Sequence, residues 1–209
     1  MLQLNSSPMT FASSVAMRLM PAKIARSRLG RAVYLAHGYL PVELAEELMD
    51  ALSSAVWLES SLSLKHVTPN GIYDLGEVSR KVVTDAGVAA VVNAFRNTFE
   101  LETFNFHAIG TGSTAEAAAQ TALVTELTTQ YSTDNTRPTG TQSAPAANQY
   151  QSVATITVDA GVTITEHGLF SQAAVPGGQM WDRSVFAGLA LSSGDSIIAT
   201  YIATVTSGG

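Results

Sequence analysis

The chain has 209 residues, 46% of them hydrophobic and only 13% charged, with no cysteine and a formal net charge of −6. That length exceeds the roughly 100 to 150 residues of one typical domain and falls short of two, so one sizeable core with an appendage is expected. The missing cysteines exclude a disulfide framework, a thiol nucleophile and a thiolate metal site, no apolar run approaches the roughly 18 residues of a membrane-spanning helix, and a charge fraction near half the usual ~25% points to a surface with something lying against it.

Charge is unevenly placed. Up to Leu40 the chain carries Arg18, Lys23, Arg26, Arg28 and Arg31 and no Asp or Glu, a balance of +5, so the remainder sums to −11. Residues 1–40 therefore read as a basic arm on an acidic body. Their Ser, Met and Arg content resembles that of an organelle transit peptide, but they are read here as a retained extension. Thr10 suits the cap of a short helix bearing Phe11, Val15 and Leu19, which Pro21 stops, and a second basic turn follows with Ile24 and Leu29 on one side.

Residues 41–74 are expected to form a helix and a β-hairpin. Pro41 fits a first helical position, Glu43, Glu46 and Glu47 favour the positive end of the helix dipole, and Leu44, Leu48, Leu52, Ala55 and Val56 follow helical spacing up to Glu59. The next run, LSLKHVTPNGIYDLG, places two β-rich segments around Pro69-Asn70-Gly71, where Asn-Gly tolerates the positive φ of a hairpin turn.

Residues 75–209 read as a β-rich body. Thr84 or Asp85 can cap a helix whose Val88, Val91, Val92, Phe95 and Phe99 make one apolar stripe, expected to lie on a sheet. Glu102 to Ile109 alternates around Phe104 and Phe106 as a strand does. Thr111 to Ser143, mostly Thr, Ala, Ser and Gly, reads as a long decorated loop with one helical stretch at Ala115 to Leu127. The last sixty residues alternate as antiparallel strands: Tyr150, Ala154, Ile156 and Val158 share one face, as do Ile197, Ala199, Tyr201, Ala203 and Val205, leaving Ile198 and Ile202 exposed on the other. Between them, VTITEHGLF and MWDRSVFAGLAL flank the turn Pro176-Gly177-Gly178. The expected fold is mainly β with α, an antiparallel β-sandwich or barrel-like body packed by one or two helices, with an extended or helical N-terminal arm.

Signals for chemistry are sparse. His37, His66, His107 and His167 are never three or four residues apart, so a metal site would need convergence of residues such as His107, Glu166 and His167. The simpler reading makes His107 a hydrogen-bonded core residue and Glu166-His167-Gly168 a strand bulge. HAIGTGSTAEAA lacks the third glycine of a dinucleotide loop and the lysine of a P-loop, and reads as a tight turn with Ser113 or Thr114 capping a helix. No G-x-S-x-G elbow is present, so neither catalysis nor a cofactor is expected. Arg183, beside Asp182 in an apolar strand, must find an acceptor if buried. Asp182, Asp195 and Glu166 are the intramolecular candidates for that structural ion pair, and a subunit boundary is the alternative.

Several blocks together, LGEVSRKVVTDAGVAAVVNAFRN, FHAIGTGSTAEAAAQTALVTELTT, RPTGTQS, NQYQSVATITVDAGVTITEHGLFSQA and WDRSVFAGLALSSGDSIIATYIATVTSGG, resemble a family of small virion structural proteins of tailed bacteriophages. The resemblance spans Leu75 to Gly209 and leaves residues 1–74 outside it. It implies a particle component without a catalytic motif. Within that class, low charge and a Thr-rich β body are those expected of a capsid decoration (cement) protein on the capsid surface, assembled in the host cytoplasm, with a tail or vertex appendage such as a fibre base or adhesin as the alternative. The expected partners are the major capsid protein and copies of the chain itself as a dimer or trimer, with no direct nucleic-acid or membrane contact. Arg18, Lys23, Arg26, Arg28 and Arg31 are the candidate contact charges, and Phe11, Met17, Leu19 and Met20 the candidate apolar anchors.

Overall fold

The computed structural model describes residues 56–80 and 82–207. In chain order these form β1 (Val56–Thr68), β2 (Gly71–Arg80), β3 (Val82–Val83), helix α1 (Asp85–Phe95), a 3₁₀ turn (Leu101–Thr103), β4 (Phe106–Gly110), β5 (Thr141–Ser143), β6 (Gln149–Thr157), β7 (Val162–Phe170), β8 (Met180–Leu191) and β9 (Ser196–Ser207). One sheet has the order β2-β1-β9-β6-β5 and the other β3-β8-β7-β4. The pairings of β1 with β2, β6 with β5 and β9, and β8 with β3 and β7 are antiparallel, as is that of β4 with β7. The fold is a sandwich-like, mainly antiparallel β body with one helix among the described residues.

The alternation read from the sequence sets the inner faces. Ala154 and Ile156 on β6, Ile197 and Ala199 on β9, Leu62 and Leu64 on β1, Ile109 on β4 and Ile164 on β7 make the main apolar core. On β1, β6 and β9 the paired residues stand two apart, the spacing that sends side chains to one face of a pleated sheet. Tyr201 and Ala203 extend this face of β9 into a second cluster with Ala90, Phe104, Leu169 and Trp181. Three residues depart from the expected pattern. Val205 is exposed near the end of β9, and Ile198 and Ile202 are half-buried rather than exposed.

The β1–β2 hairpin forms where expected, with Thr68 opposite Gly71 and Gly71 at φ 145°. Its strands are longer than the sequence implied. Val56 to Glu59, read as the end of the 41–59 helix, instead opens β1; the rest of that helix lies outside the described residues. Glu166, His167 and Gly168 pair in unbroken register, so the bulge expected there is displaced to either side, with register shifts between Ile164 and Glu166 and between Leu169 and Phe170.

Helix α1 corrects the expected orientation of its stripe. Thr84 caps it, accepting from the Gly87 amide at 3.0 Å. The Thr84 amide donates to the Trp181 carbonyl at 2.9 Å, and its hydroxyl donates to the Met180 carbonyl at 2.5 Å. The first turn is thus pinned to β8, and pinning fixes the rotational phase of the helix. Gly87 and Ala90 face inward. A Cβ on Gly87 would lie 2.5 Å from the Trp181 carbonyl oxygen, so only glycine permits this approach. Val91 and Phe99 are partly buried, whereas Val88 and Val92 are each 55% exposed and Phe95 is 89% exposed. Replacing Val88, Val92 and Phe95 singly by serine is therefore expected to change the unfolding free energy by less than about 0.5 kcal/mol each. Gly87→Ala is expected to cost about 1 to 3 kcal/mol. Urea unfolding midpoints would reverse this ranking if the stripe were the packed face.

The segment from Thr111 to Gly140 contains no helix, contrary to the expectation for Ala115 to Leu127. It runs along the free edge of β4, where the Leu127 amide donates to the Ile109 carbonyl at 3.0 Å and the His107 amide to the Pro138 carbonyl at 2.9 Å. A covered strand edge cannot template pairing with another chain. Leu123 from this segment packs with Ala108, Phe170 and Met180, closing the other face of the β4–β7–β8 layer.

Candidate functional site

Among the described residues, Arg137, Glu166, Asp182, Arg183 and Asp195 are charged side chains buried in the body. Glu166 lies beside the first register shift of β7 and is fully buried. Its Oε1 accepts from the Gly112 and Thr125 amides at 2.9 and 2.8 Å, and its Oε2 from the Val124 amide at 3.0 Å and from Arg183 Nε at 2.8 Å. Arg183 Nη1 donates to the Thr114 carbonyl at 3.0 Å and to Gln120 Oε1 at 3.1 Å. Of the three acceptors weighed for Arg183, the structure selects Glu166. The reason is register: Arg183 stands opposite Gly168 and Glu166 opposite Val185, so both occupy the face of the β7–β8 pair that the 111–140 segment covers. The glycines of the HAIGTG run serve the same carboxylate. A Cβ on Gly112 would lie 2.5 Å from Glu166 Oε1, and one on Gly110 would collide with the Thr125 carbonyl oxygen. Ser113 and Thr114 cap no helix, because the chain turns there to bring its amides to Glu166.

A second buried cation went unnoticed in the sequence. Arg137 Nε and Nη2 donate to the two carboxylate oxygens of Glu126 at 2.6 and 2.9 Å, while Nη1 donates to the Gln172 and Gly177 carbonyls at 2.9 and 2.7 Å. Its guanidinium carbon sits 3.6 Å from the centre of the Phe170 ring, a stacked and forked arrangement that lysine cannot reproduce. The available signal was isolation: Arg137 is the only Lys or Arg between Arg96 and Arg183. A lone cation in so neutral a stretch has a dedicated acceptor more often than a solvated surface would require.

Between the sheets lies a third polar group. His107 Nδ1 and His167 Nε2 are 3.0 Å apart, and His107 Nε2 is 2.8 Å from Ser152 Oγ. All three residues are completely buried. A hydroxyl on an imidazole whose other nitrogen is held by a further group has the hydrogen-bond order of an activated nucleophile. Here, however, a Cβ on Gly140 would collide with Ser152 Oγ and lie 2.8 Å from His107 Nε2, so backbone fills the space a substrate would need. The chain of contacts instead ties β4 and β7 of one sheet to β6 of the other. His107 is thus a hydrogen-bonded core residue. Glu166, weighed with the two histidines as a ligand set, is committed to Arg183 and three amides on the opposite face. Among the described residues, no three His, Asp or Glu side chains converge as a metal site.

Asp182, opposite Leu169 on β8, faces inward near Tyr201. Trp181 Nε1 donates to the Tyr201 hydroxyl at 2.5 Å. Burial pushes that hydroxyl well above the usual tyrosine range, and Asp182 pushes it the same way. At the far end of the sandwich Asp195 accepts from the Ser192 amide at 2.8 Å and contacts His66 Nε2 at 3.0 Å. The amide first, and then the imidazole, hold its carboxyl below the ordinary range.

The outer surface carries most of the other charged residues and several large apolar ones. Besides the α1 stripe, Ile72, Tyr73 and Leu75 of β2 are exposed. These lie on a hairpin whose β2 strand forms one margin of its sheet. The arm residues Phe11, Met17, Arg18, Leu19, Met20, Lys23, Arg26, Arg28 and Arg31 lie outside the described residues.

No protein-family model matches this chain, and neither a curated protein nor a solved structure is significantly similar to it.

Proposed function

We propose that this chain is a structural protein of a tailed-bacteriophage virion, a capsid decoration protein that binds the major capsid lattice and neighbouring copies of itself. The observation that carries the reading is the distribution of polarity. Two Arg–Glu pairs are buried in the body, while apolar side chains on α1 and β2 face outward. Outward apolar groups and few surface charges suit a particle that meets the same neighbours at every lattice position. The basic arm on an acidic body supplies opposite charge for register between adjacent contacts, and repetition across the lattice multiplies modest affinities. The blocks of sequence between Leu75 and Gly209 that resemble phage virion proteins support the same reading. No catalytic step or cofactor enters it.

The deciding measurement is the copy number of this chain per purified particle, by quantitative mass spectrometry against the major capsid protein. A ratio of about one, or about one-third to two-thirds, is expected for a protein occupying a repeated lattice position. A few to a few dozen copies per particle would overturn the decoration reading in favour of a tail or vertex appendage. Replacing Arg26, Arg28 and Arg31 together by glutamate is expected to lower particle occupancy about tenfold or more, with circular dichroism of the body unchanged. Normal occupancy would remove the arm from the interface.

A further inference from the structure

We propose that the buried His107–His167 pair is a pH-sensitive latch between the two sheets, able to hold one excess proton but not two while the sandwich stays closed. This inference rests on the core geometry and is independent of the virion assignment.

The argument starts from proton counting. Two imidazole nitrogens 3.0 Å apart share a hydrogen bond only when one carries a proton and the other does not. With both imidazoles neutral, one arrangement has His107 Nδ1 donating to His167 Nε2 and His107 Nε2 accepting from the Ser152 hydroxyl. One added proton can be absorbed by shifting the donors: His167 Nε2 then donates to His107 Nδ1, and His107 Nε2 donates to Ser152 Oγ. The contact survives with one positive charge. A second proton places N–H groups on both facing nitrogens, and the contact must open.

The surroundings make opening expensive and consequential. Both rings are 0% exposed. Facing them are Ser152 from β6 and the Gly140 backbone from the covering segment. From β8 come Ser184, directly opposite His167, and Asp182, diagonal to it on the same face. Asp182 also faces Tyr201 of β9, with Ser60 of β1 beside that hydroxyl. Glu166 and Arg183 are neighbours along the strands but turn to the opposite face, where they satisfy each other. Among the described residues of β4, β6, β7 and β8, Asp182 is the carboxylate that the register places on this inner face, where it can balance a single imidazolium. Because His107 also bonds across to Ser152 of the other sheet, a shift of its ring away from His167 strains a polar tie between the sheets.

The sign of the pH dependence follows. In the unfolded chain both imidazoles bind protons below about pH 6.5. The closed body accommodates at most one. Unfolding in acid therefore takes up about one proton on account of this pair, and stability falls as pH drops below that value.

The test uses the full chain labelled with ¹⁵N-histidine. Two-bond ¹H–¹⁵N spectra followed from pH 8 to pH 4 are expected to show His107 and His167 gaining a single proton between them in the folded state, with the second gained only as the fold is lost. In His167→Gln, which retains hydrogen-bonding groups but does not titrate, proton uptake on acid unfolding is expected to fall by about one and the acid midpoint to move to lower pH. Two fully protonated rings in a folded protein would overturn the latch, as would an unchanged midpoint and uptake in a folded His167→Gln. Should that variant not fold, the spectra of the unaltered chain decide the question.

Discussion

Replacing Glu166 by alanine is expected to destabilise the body by about 3 to 5 kcal/mol, the usual result of removing one partner from a buried ion pair. That is a large part of the roughly 5 to 15 kcal/mol that holds a typical domain together. The effect has two sources. Arg183, 0% exposed, keeps its charge and loses the carboxylate that balances it. The Gly112, Val124 and Thr125 amides lose their acceptor as well, and a buried donor left unsatisfied carries its own desolvation cost. Arg183→Met should be costly for the converse reason. The double variant, Glu166→Ala with Arg183→Met, should cost less than the sum of the two, with a coupling on the order of 1 to 3 kcal/mol. Urea unfolding of the four proteins in this cycle is the measurement, and strict additivity would show that the two side chains do not depend on each other.

Arg137→Ala is expected to have the next largest effect, about 3 kcal/mol, and Arg137→Lys most of that loss. Lysine keeps the charge but cannot fork across both Glu126 oxygens, reach the Gln172 and Gly177 carbonyls, and lie flat on Phe170. The consequence should differ in kind from that of Glu166. Arg137 fixes the later half of the 111–140 segment to the β7–β8 turn, so its loss should free that segment before the sheets part. Limited proteolysis should cut between about residues 128 and 140 at least tenfold faster, while far-ultraviolet circular dichroism stays near that of the unaltered protein. Equal rates of cleavage would mean that the Tyr131 hydroxyl, which accepts from the Ile109 amide at 2.9 Å, is sufficient to hold the segment.

How much of this was readable in advance depended on the range of the interaction. Period-two alternation in β6 and β9 gave their inner faces because a strand's own geometry dictates them, whatever the partner. The Asn70-Gly71 turn, the Pro176-Gly177-Gly178 turn and the Thr84 cap were legible for the same reason. Helix α1 was legible as an element but not in its orientation: periodicity marks an apolar stripe, and the packed side was decided by Gly87 meeting Trp181, nearly a hundred residues away. The 111–140 segment failed differently. Its apolar spacing around Ala115 to Leu127 imitated a helix, while the order of its backbone comes from a carboxylate 41 to 54 residues further along. Arg183 could be narrowed to three acceptors because its apolar strand required burial. Arg137, in a loop, carried no such constraint, and nothing in local sequence pairs it with Glu126.

The two carboxylate clamps also bear on time. The Glu166 clamp needs β7 and β8 paired so that Glu166 and Arg183 share a face, and the Arg137 clamp needs the β7–β8 turn in place to offer its carbonyls. Interactions completed after the rate-limiting step of folding leave the folding rate almost unchanged and act on unfolding alone. The clamps should therefore lengthen the lifetime of the native state by slowing its loss, with little effect on how fast it is reached. For the proposed role as a component of an assembly, persistence matters more than speed of formation.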